Sequence, residues 1–339
     1  MNQKFVDTHP DAGVAASAHL LYGIALLIVM LCVTGMAIYF ETGRLVTGTP
    51  LEGLVSYQLT SYSNLLLSVS TVLYIAHLWF ISATVGRWAT GMATLGAVGV
   101  LGGLLTRWFE VHRILREAQL MPSSLYEVTM LFSAVTVLIY LAMEFAYRNR
   151  SAGAFVMPIV MCAVGFELWL VSNGQASPHL LVPALKSYWM NAHILANFVG
   201  YGSFAVAAAL GGMYLLRHGA ESAGRTDAFP LRVLPGLCQI DRLLFRAIAV
   251  GFPVFTLAML LGATWAHEVW GRYWSWEPKE TWTLIVWGIY AVFLYLRLAN
   301  GWAGVHMAWW AVLGFGVTLF SFVGVNLLYS GLHTFGNPG

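Results

Sequence analysis

The feature that most constrains this chain is a succession of apolar runs, each about long enough to cross a bilayer. A spanning helix needs roughly 20 apolar residues, with about 17 as the lower limit. Nine runs approach or meet that length: Leu20–Phe40, Leu65–Ser82, Ala89–Thr106, Val128–Tyr147, Ala154–Val171, Ala192–Leu216, Ala247–Trp265, Trp282–Leu298 and His306–Leu328. In hydrocarbon each backbone N–H and C=O must be satisfied inside its own segment, so such runs become helices. Charge agrees: Asp, Glu, Lys and Arg make up 9% of the 339 residues, against about 25% in an ordinary soluble domain. A water-facing surface cannot be covered with so few charges. The fold class expected is all-α, a polytopic membrane helix bundle of about nine transmembrane helices with no separate soluble domain. The polar start, Met1 to Asp11, shows no cleavable signal pattern, so the first run is expected to be retained.

Loop charge sets the expected orientation. With the N-terminus inside, ten Lys and Arg fall on the inner segments and seven on the outer ones. The segment Arg217–Arg246 decides it, holding five Arg and no Lys. Under the positive-inside rule the expected topology is N-in, C-out. Asn173–Asn191, Ala266–Thr281 and the tail from Tyr329 then lie outside. The net charge of +2 is small and the Arg residues are spread out, so nucleic acid is not an expected partner. Cys32, Cys162 and Cys238 are far apart and form no CxxC, which argues against a thiol–disulfide carrier and a Cys-based metal site.

One expected outer loop stands apart. Residues 265–282 carry five Trp in eighteen residues. Trp favours the headgroup region of a membrane, and one or two would need no other explanation. An interfacial belt does not call for the interleaved Gly271, Arg272, Glu277, Lys279 and Glu280. Gly271 permits close backbone approach, and Pro278 suits the first turn of the helix that follows. Flat aromatic faces beside a few fixed charges suit a large planar apolar ligand bearing carboxylates. A porphyrin is such a ligand: its ring can stack on Trp, and Arg or Lys can hold its propionates.

The stretch Trp270-Gly-Arg-Tyr-Trp-Ser-Trp-Glu-Pro-Lys-Glu-Thr-Trp282 resembles the WWD signature of membrane haem-handling proteins, and most closely that of the CcsA (ResC) family of system II cytochrome c biogenesis. Three further stretches resemble that family in the same order. They are Arg107-Trp-Phe-Glu110 through Pro122-Ser-Ser-Leu-Tyr-Glu127, Leu185 through His193, and Asn326-Leu-Leu-Tyr-Ser-Gly-Leu-His333. The likeness divides the chain into an N-terminal segment with the first span, 1–60, and a haem-handling membrane domain, 61–335, containing the loop. It implies haem b as substrate or transported ligand, with the positions matching His193 and His333 as external axial ligands. Trp270, Gly271, Arg272, Trp274, Trp276, Glu277 and Lys279 are the expected binding residues around them. Glu277 stands where the family usually has Asp.

The remaining histidines read differently. His267, two residues past Trp265, is an interfacial residue, a competing ligand or a propionate partner. His9, His179 and His218 are expected in solvated loops, and His112 in an outer charged stretch. The resemblance also implies an inner His pair, but Tyr295 stands where one of its histidines is expected. The candidate inner haem site is therefore limited to His77, Tyr295 and His306, each histidine being either a ligand or a packing residue. Glu144 and Glu167 lie near span ends, where snorkelling or pairing accounts for them. Taken together the sequence predicts the haem-binding and haem-presenting subunit of a cytochrome c synthetase (a cytochrome c haem-lyase complex). Expected partners are a CcsB (ResB)-type membrane protein, apocytochrome c, a thioredoxin-like thiol reductant and membrane lipid. The expected location is the bacterial cytoplasmic (inner) membrane with the active face toward the periplasm, or the thylakoid membrane if plastid. The rival readings are a b-type electron-transfer or quinol-oxidising subunit, disfavoured because only His77 is read as deep in a span, and a small-molecule transporter.

Overall fold

A computed structural model describes residues 54–115, 122, 124–177, 187–224, 231 and 233–328. Eight helices in it are long and apolar enough to cross a membrane. They are α1 Val55–Phe80, α2 Ala83–Leu115, α3 Leu125–Tyr147, α4 Gly153–Ser172, α5 Tyr188–Ser222, α6 Leu237–Trp270, α7 Pro278–Ala299 and α8 Val305–Leu319. The last span continues through a π-helical turn, Phe320–Gly324, to Leu328. There is no strand among the described residues. The all-α polytopic bundle is as predicted, and each of these helices covers one of the apolar runs. The expected first span, Leu20–Phe40, lies outside the described residues.

Several helices run well beyond the apolar cores. Helix α1 begins ten residues before Leu65 in a stretch rich in Ser, Thr and Tyr. Its hydroxyls are absorbed locally: Thr60, Ser61, Ser63 and Ser68 each donate to the carbonyl four residues back at 2.7–2.8 Å. Such back-bonding lets polar side chains sit in a membrane helix without an external partner. A row of small residues on α2, Ala89, Ala93 and Ala97, is fully buried. Small residues let neighbouring helix backbones approach in a membrane, and α2 packs chiefly on α1. Helix α5 is the most deeply buried of the spans and α7 the least.

Buried charges tie the helix ends. Arg107 on α2 and Glu127 on α3 are both about 1% exposed and pair at 2.5 Å. Arg107 also donates to the Ala176 carbonyl beyond α4. The Ser124 hydroxyl accepts the Glu127 amide at 3.3 Å and caps α3. The two halves of the Arg107–Glu127 motif are therefore one structural clamp. At the opposite end Arg297 pairs with Asp241, and the same carboxylate accepts the Gly304 amide at 3.1 Å. Arg217 donates to the Leu234 and Pro235 carbonyls.

Snorkelling does not account for Glu144 and Glu167. Glu144, 5% exposed, accepts from Tyr74, Tyr140 and Thr90 at 2.6–2.7 Å and pairs with Arg150 at 3.1 Å. Glu167, 1% exposed, accepts from Asn64 at 2.9 Å and Ser133 at 3.0 Å. Both carboxyls point into the bundle because burying them against donors costs less than leaving them bare in lipid.

Candidate functional site

The tryptophan segment is shorter as a loop than its sequence suggests. Helix α6 continues to Trp270, and α7 starts at Pro278, which leaves Gly271–Glu277 between them. Trp265 is a fully buried helix residue, packed edge-on against Trp270 at 4.8 Å. Gly271 ends α6 with a φ of +72°, a left-handed turn that glycine adopts without a Cβ penalty. Trp276 has a φ of +59° as well, a conformation that strains a bulky side chain. A capping box closes the loop: the Glu277 side chain accepts the Glu280 amide and the Glu280 side chain accepts the Glu277 amide. Glu280 also accepts the Ser275 amide at 2.7 Å. Burial pushes the Glu277 carboxyl above its ordinary range, against the pull of Arg272 and Lys279.

Behind this loop lies a partly open, mostly apolar cavity. It is walled by α5, α6, the first turns of α7 and the end of the last span, with Val128 of α3. Its lining is mostly apolar, including Met190, Phe198, Met259 and Phe322. His193, Trp274 and Lys279 reach it. Lys279 Nζ donates to Asn326 Oδ1 at 3.0 Å, and Asn326 donates to the Phe322 carbonyl at 2.5 Å. The Trp274 indole N–H, the Ser275 hydroxyl and Asn197 Oδ1 are buried without a hydrogen-bond partner.

His193 is held in a defined way. Its Nδ1 is 2.7 Å from the Ala258 carbonyl oxygen of α6. A carbonyl only accepts, so Nδ1 carries the proton and Nε2 is the unprotonated nitrogen. The Asn197 amide nitrogen is 2.9 Å from Nε2 and 3.4 Å from Nδ1. A group that near to both ring nitrogens lies over the ring face, so Asn197 does not take the in-plane lone pair of Nε2. Ser187 fixes the helix that carries the ring: its hydroxyl accepts the Trp189 amide at 3.3 Å and donates to Glu268 of α6 at 2.9 Å.

Other expected residues fall elsewhere. Trp276 is 70% exposed and meets Trp274 edge-on at 5.8 Å. Arg272 is exposed, and Trp270 and Gly271 end α6 outside the cavity lining. His333 lies outside the described residues, as do His9 and His179. His267 is on α6 and stacks on Tyr273 at 4.2 Å. His112 is on α2, and His218 is on α5 and not in a loop. His77 is not deep in a span. It sits in the last turn of α1, its Nδ1 2.8 Å from the Ser82 carbonyl. Tyr295 is 63% exposed on α7, and His306 is exposed at the start of α8. None of His77, Tyr295 and His306 lines the cavity. The sequence reading missed Met259 and Gly262, whose part depends on which face of α6 meets α5.

The residues present fit a haem: an apolar cavity, an anchored imidazole whose Nε2 is unprotonated, an indole and a lysine in the lining, and orphaned polar atoms on the walls. The fold and site are those of a multi-span helical membrane protein, and residues 122–333 match the family described as Cytochrome C assembly protein. The chain belongs to that family, in its CcsA branch, and has a role in cytochrome c biogenesis. It is 32% identical to the cytochrome c biogenesis protein CcsA of Heterosigma akashiwo over 63% of this chain and 76% of that one. For the CcsA of Guillardia theta the identity is 32%, covering 74% and 85%. For that of Gloeobacter violaceus it is 29%, covering 73% and 86%. No solved structure matches.

Proposed function

We propose that the cavity binds haem and presents it for attachment to apocytochrome c, with His193 and His333 as axial ligands. The observation that carries this reading is the His193 ring. Metal-ligating imidazoles commonly donate their second nitrogen's proton to a backbone carbonyl, which fixes tautomer and orientation. His193 does this at the wall of an aromatic cavity, with its Nδ1 2.7 Å from the Ala258 oxygen. Lys279, in the lining, and Arg272, on the outer surface of the loop, supply positive charge for propionates, and Trp274 supplies an aromatic face. Among the described residues His193 is the one histidine lining the cavity, which supports one haem there over the buried His pairs of a b-type electron-transfer subunit.

The protein supplies position; the reacting thiols come from the substrate. Each Cys S–H of a CxxCH segment adds across one haem vinyl C=C, forming a C–S bond with no leaving group. The loop lies at the end of the bundle away from the Arg217 and Arg297 clusters, and under the positive-inside rule this is the extracytoplasmic face. A CcsB-type partner and a thiol reductant complete the system. The inner site of His77, Tyr295 and His306 stands apart from this reading.

The test is substitution of single histidines in the membrane-expressed protein. His193→Ala and His333→Ala should each reduce bound haem and stop cytochrome c assembly, and His179→Ala should do neither. Added imidazole should partly restore the absorption spectrum of either ligand variant. Wild-type spectra and assembly in both ligand variants would refute the axial assignment.

A further inference from the structure

Gly262 lies on α6 one helical turn past Ala258. A Cβ built there would sit 2.6 Å from both Cε1 and Nδ1 of His193, far inside the roughly 3.5–4.0 Å of a non-bonded carbon contact. The imidazole therefore occupies the space that any side chain at 262 would need. In an α-helix the Ala258 carbonyl accepts the amide of residue 262, and here it also accepts His193 Nδ1–H at 2.7 Å. The bare backbone of Gly262 and the second lone pair of the Ala258 oxygen make a single notch in α6.

We propose that Gly262 is a positioning residue for His193: the missing side chain and the Ala258 carbonyl together hold the imidazole as the Nδ1–H tautomer, with Nε2 as the ligating nitrogen. This deepens, and rests on, the reading of the cavity as a haem site. The helices cannot open to admit a methyl group at 262, because their interface is tight elsewhere. Cβ atoms built at Gly251 and Gly200 would lie 2.4 Å from Ser203 and 2.8 Å from Phe255. The ring must yield instead, and turning it breaks the bond to Ala258.

The experiment uses the full-length purified protein, titrated with haem and followed by absorption and by midpoint potential. Gly262→Ala should weaken haem binding about tenfold or more, in the range found when a metal-bound histidine loses its outer partner. It should also shift the potential and diminish the low-spin bands. In a His193→Ala background the same substitution should change affinity less than twofold, because the ring it displaces is gone. The double variant should also fold well, since the methyl then fills vacated space. A wild-type spectrum and affinity in Gly262→Ala, or an equal loss with and without His193, would overturn the proposal. If Gly262→Ala has no effect while His193→Ala abolishes the low-spin spectrum, only the notch falls. If His193→Ala leaves the spectrum unchanged, the haem reading falls and the notch with it.

Discussion

Two ion pairs should cost different amounts to lose: Arg107–Glu127, between α2 and α3, and Arg150–Glu144, in which Arg150 lies in the connection between α3 and α4. Arg107 and Glu127 are about 1% exposed and 2.5 Å apart. Removing one partner of such a pair strands a charge away from water, which costs about 3–5 kcal/mol. Glu127→Ala should therefore lose about that much. Glu127→Gln keeps an oxygen that can accept from the Arg107 Nε, a hydrogen bond to a charged group worth about 1.5–3 kcal/mol, so it should lose roughly half as much. Arg150 beside Glu144 is 36% exposed, and the carboxylate keeps Tyr74, Tyr140 and Thr90 as donors. Arg150→Gln should then cost less than Glu127→Ala, because three donors still hold the buried carboxylate and the guanidinium that is lost is partly solvated. Unfolding in mixed micelles by increasing SDS, read from the fluorescence of the 14 tryptophans, measures all three. Equal losses for Glu127→Ala and Arg150→Gln would refute the argument that burial sets the cost. So would a Glu127→Ala variant within about 0.5 kcal/mol of wild type, since that is the scale of ordinary surface substitutions.

Three further outcomes are expected. In a cysteine-free background, Arg272→Cys should react with a membrane-impermeant maleimide in intact cells and Arg225→Cys should not; the reverse pattern would place the loop inside. Trp276→Gly should not lower the unfolding midpoint, because it relieves a left-handed strain of about 1–2 kcal/mol at a side chain that is 70% exposed; a large loss of stability would show that the indole is a packing residue. Expressed alone in cells without other assembly factors, the chain should bind haem yet make no holocytochrome c, because the expected outer segments are short beside the roughly 1,200 Å² that docking a polypeptide takes. Co-expression of a CcsB-type partner should restore attachment, and covalent haem on a CxxCH protein without it would end the two-subunit reading.

Legibility of this fold in the sequence follows from what lipid demands. The apolar runs announce the helices, but hydropathy falls before the helix does. Residues Val55–Asn64 look like a polar loop until Thr60, Ser61 and Ser63 are seen to bond their own helix. Trp265 and Trp270 look like loop residues because their neighbours His267 and Glu268 are polar, yet α6 carries all four. That Trp274 and Lys279 share one cavity is legible because they are near neighbours in sequence. The Arg107–Glu127 clamp was visible as a motif but not as a contact, since pairing depends on how α2 meets α3. Gly262 gave no signal at all: a glycine in an apolar run gains meaning only when the helix facing it brings a histidine ring to that spot.

The π-helical turn of the last span changes how its residues should be projected. Ser321 and Asn326 both line the cavity although they are five positions apart, a spacing that places them about 140° from each other on a regular α-helix. The turn at Phe320–Gly324 is what returns Asn326 to the face that Ser321 occupies, and with it the oxygen that receives Lys279. A helical wheel drawn through residues 305–328 with uniform spacing would assign Asn326 to the wrong side. Forced into a regular α-helix without losing a residue, the turn would swing Asn326 to about 140° from Ser321 and away from Lys279, whereas deleting one residue from it would leave the two four positions apart, about 40°, and keep Asn326 on the cavity face.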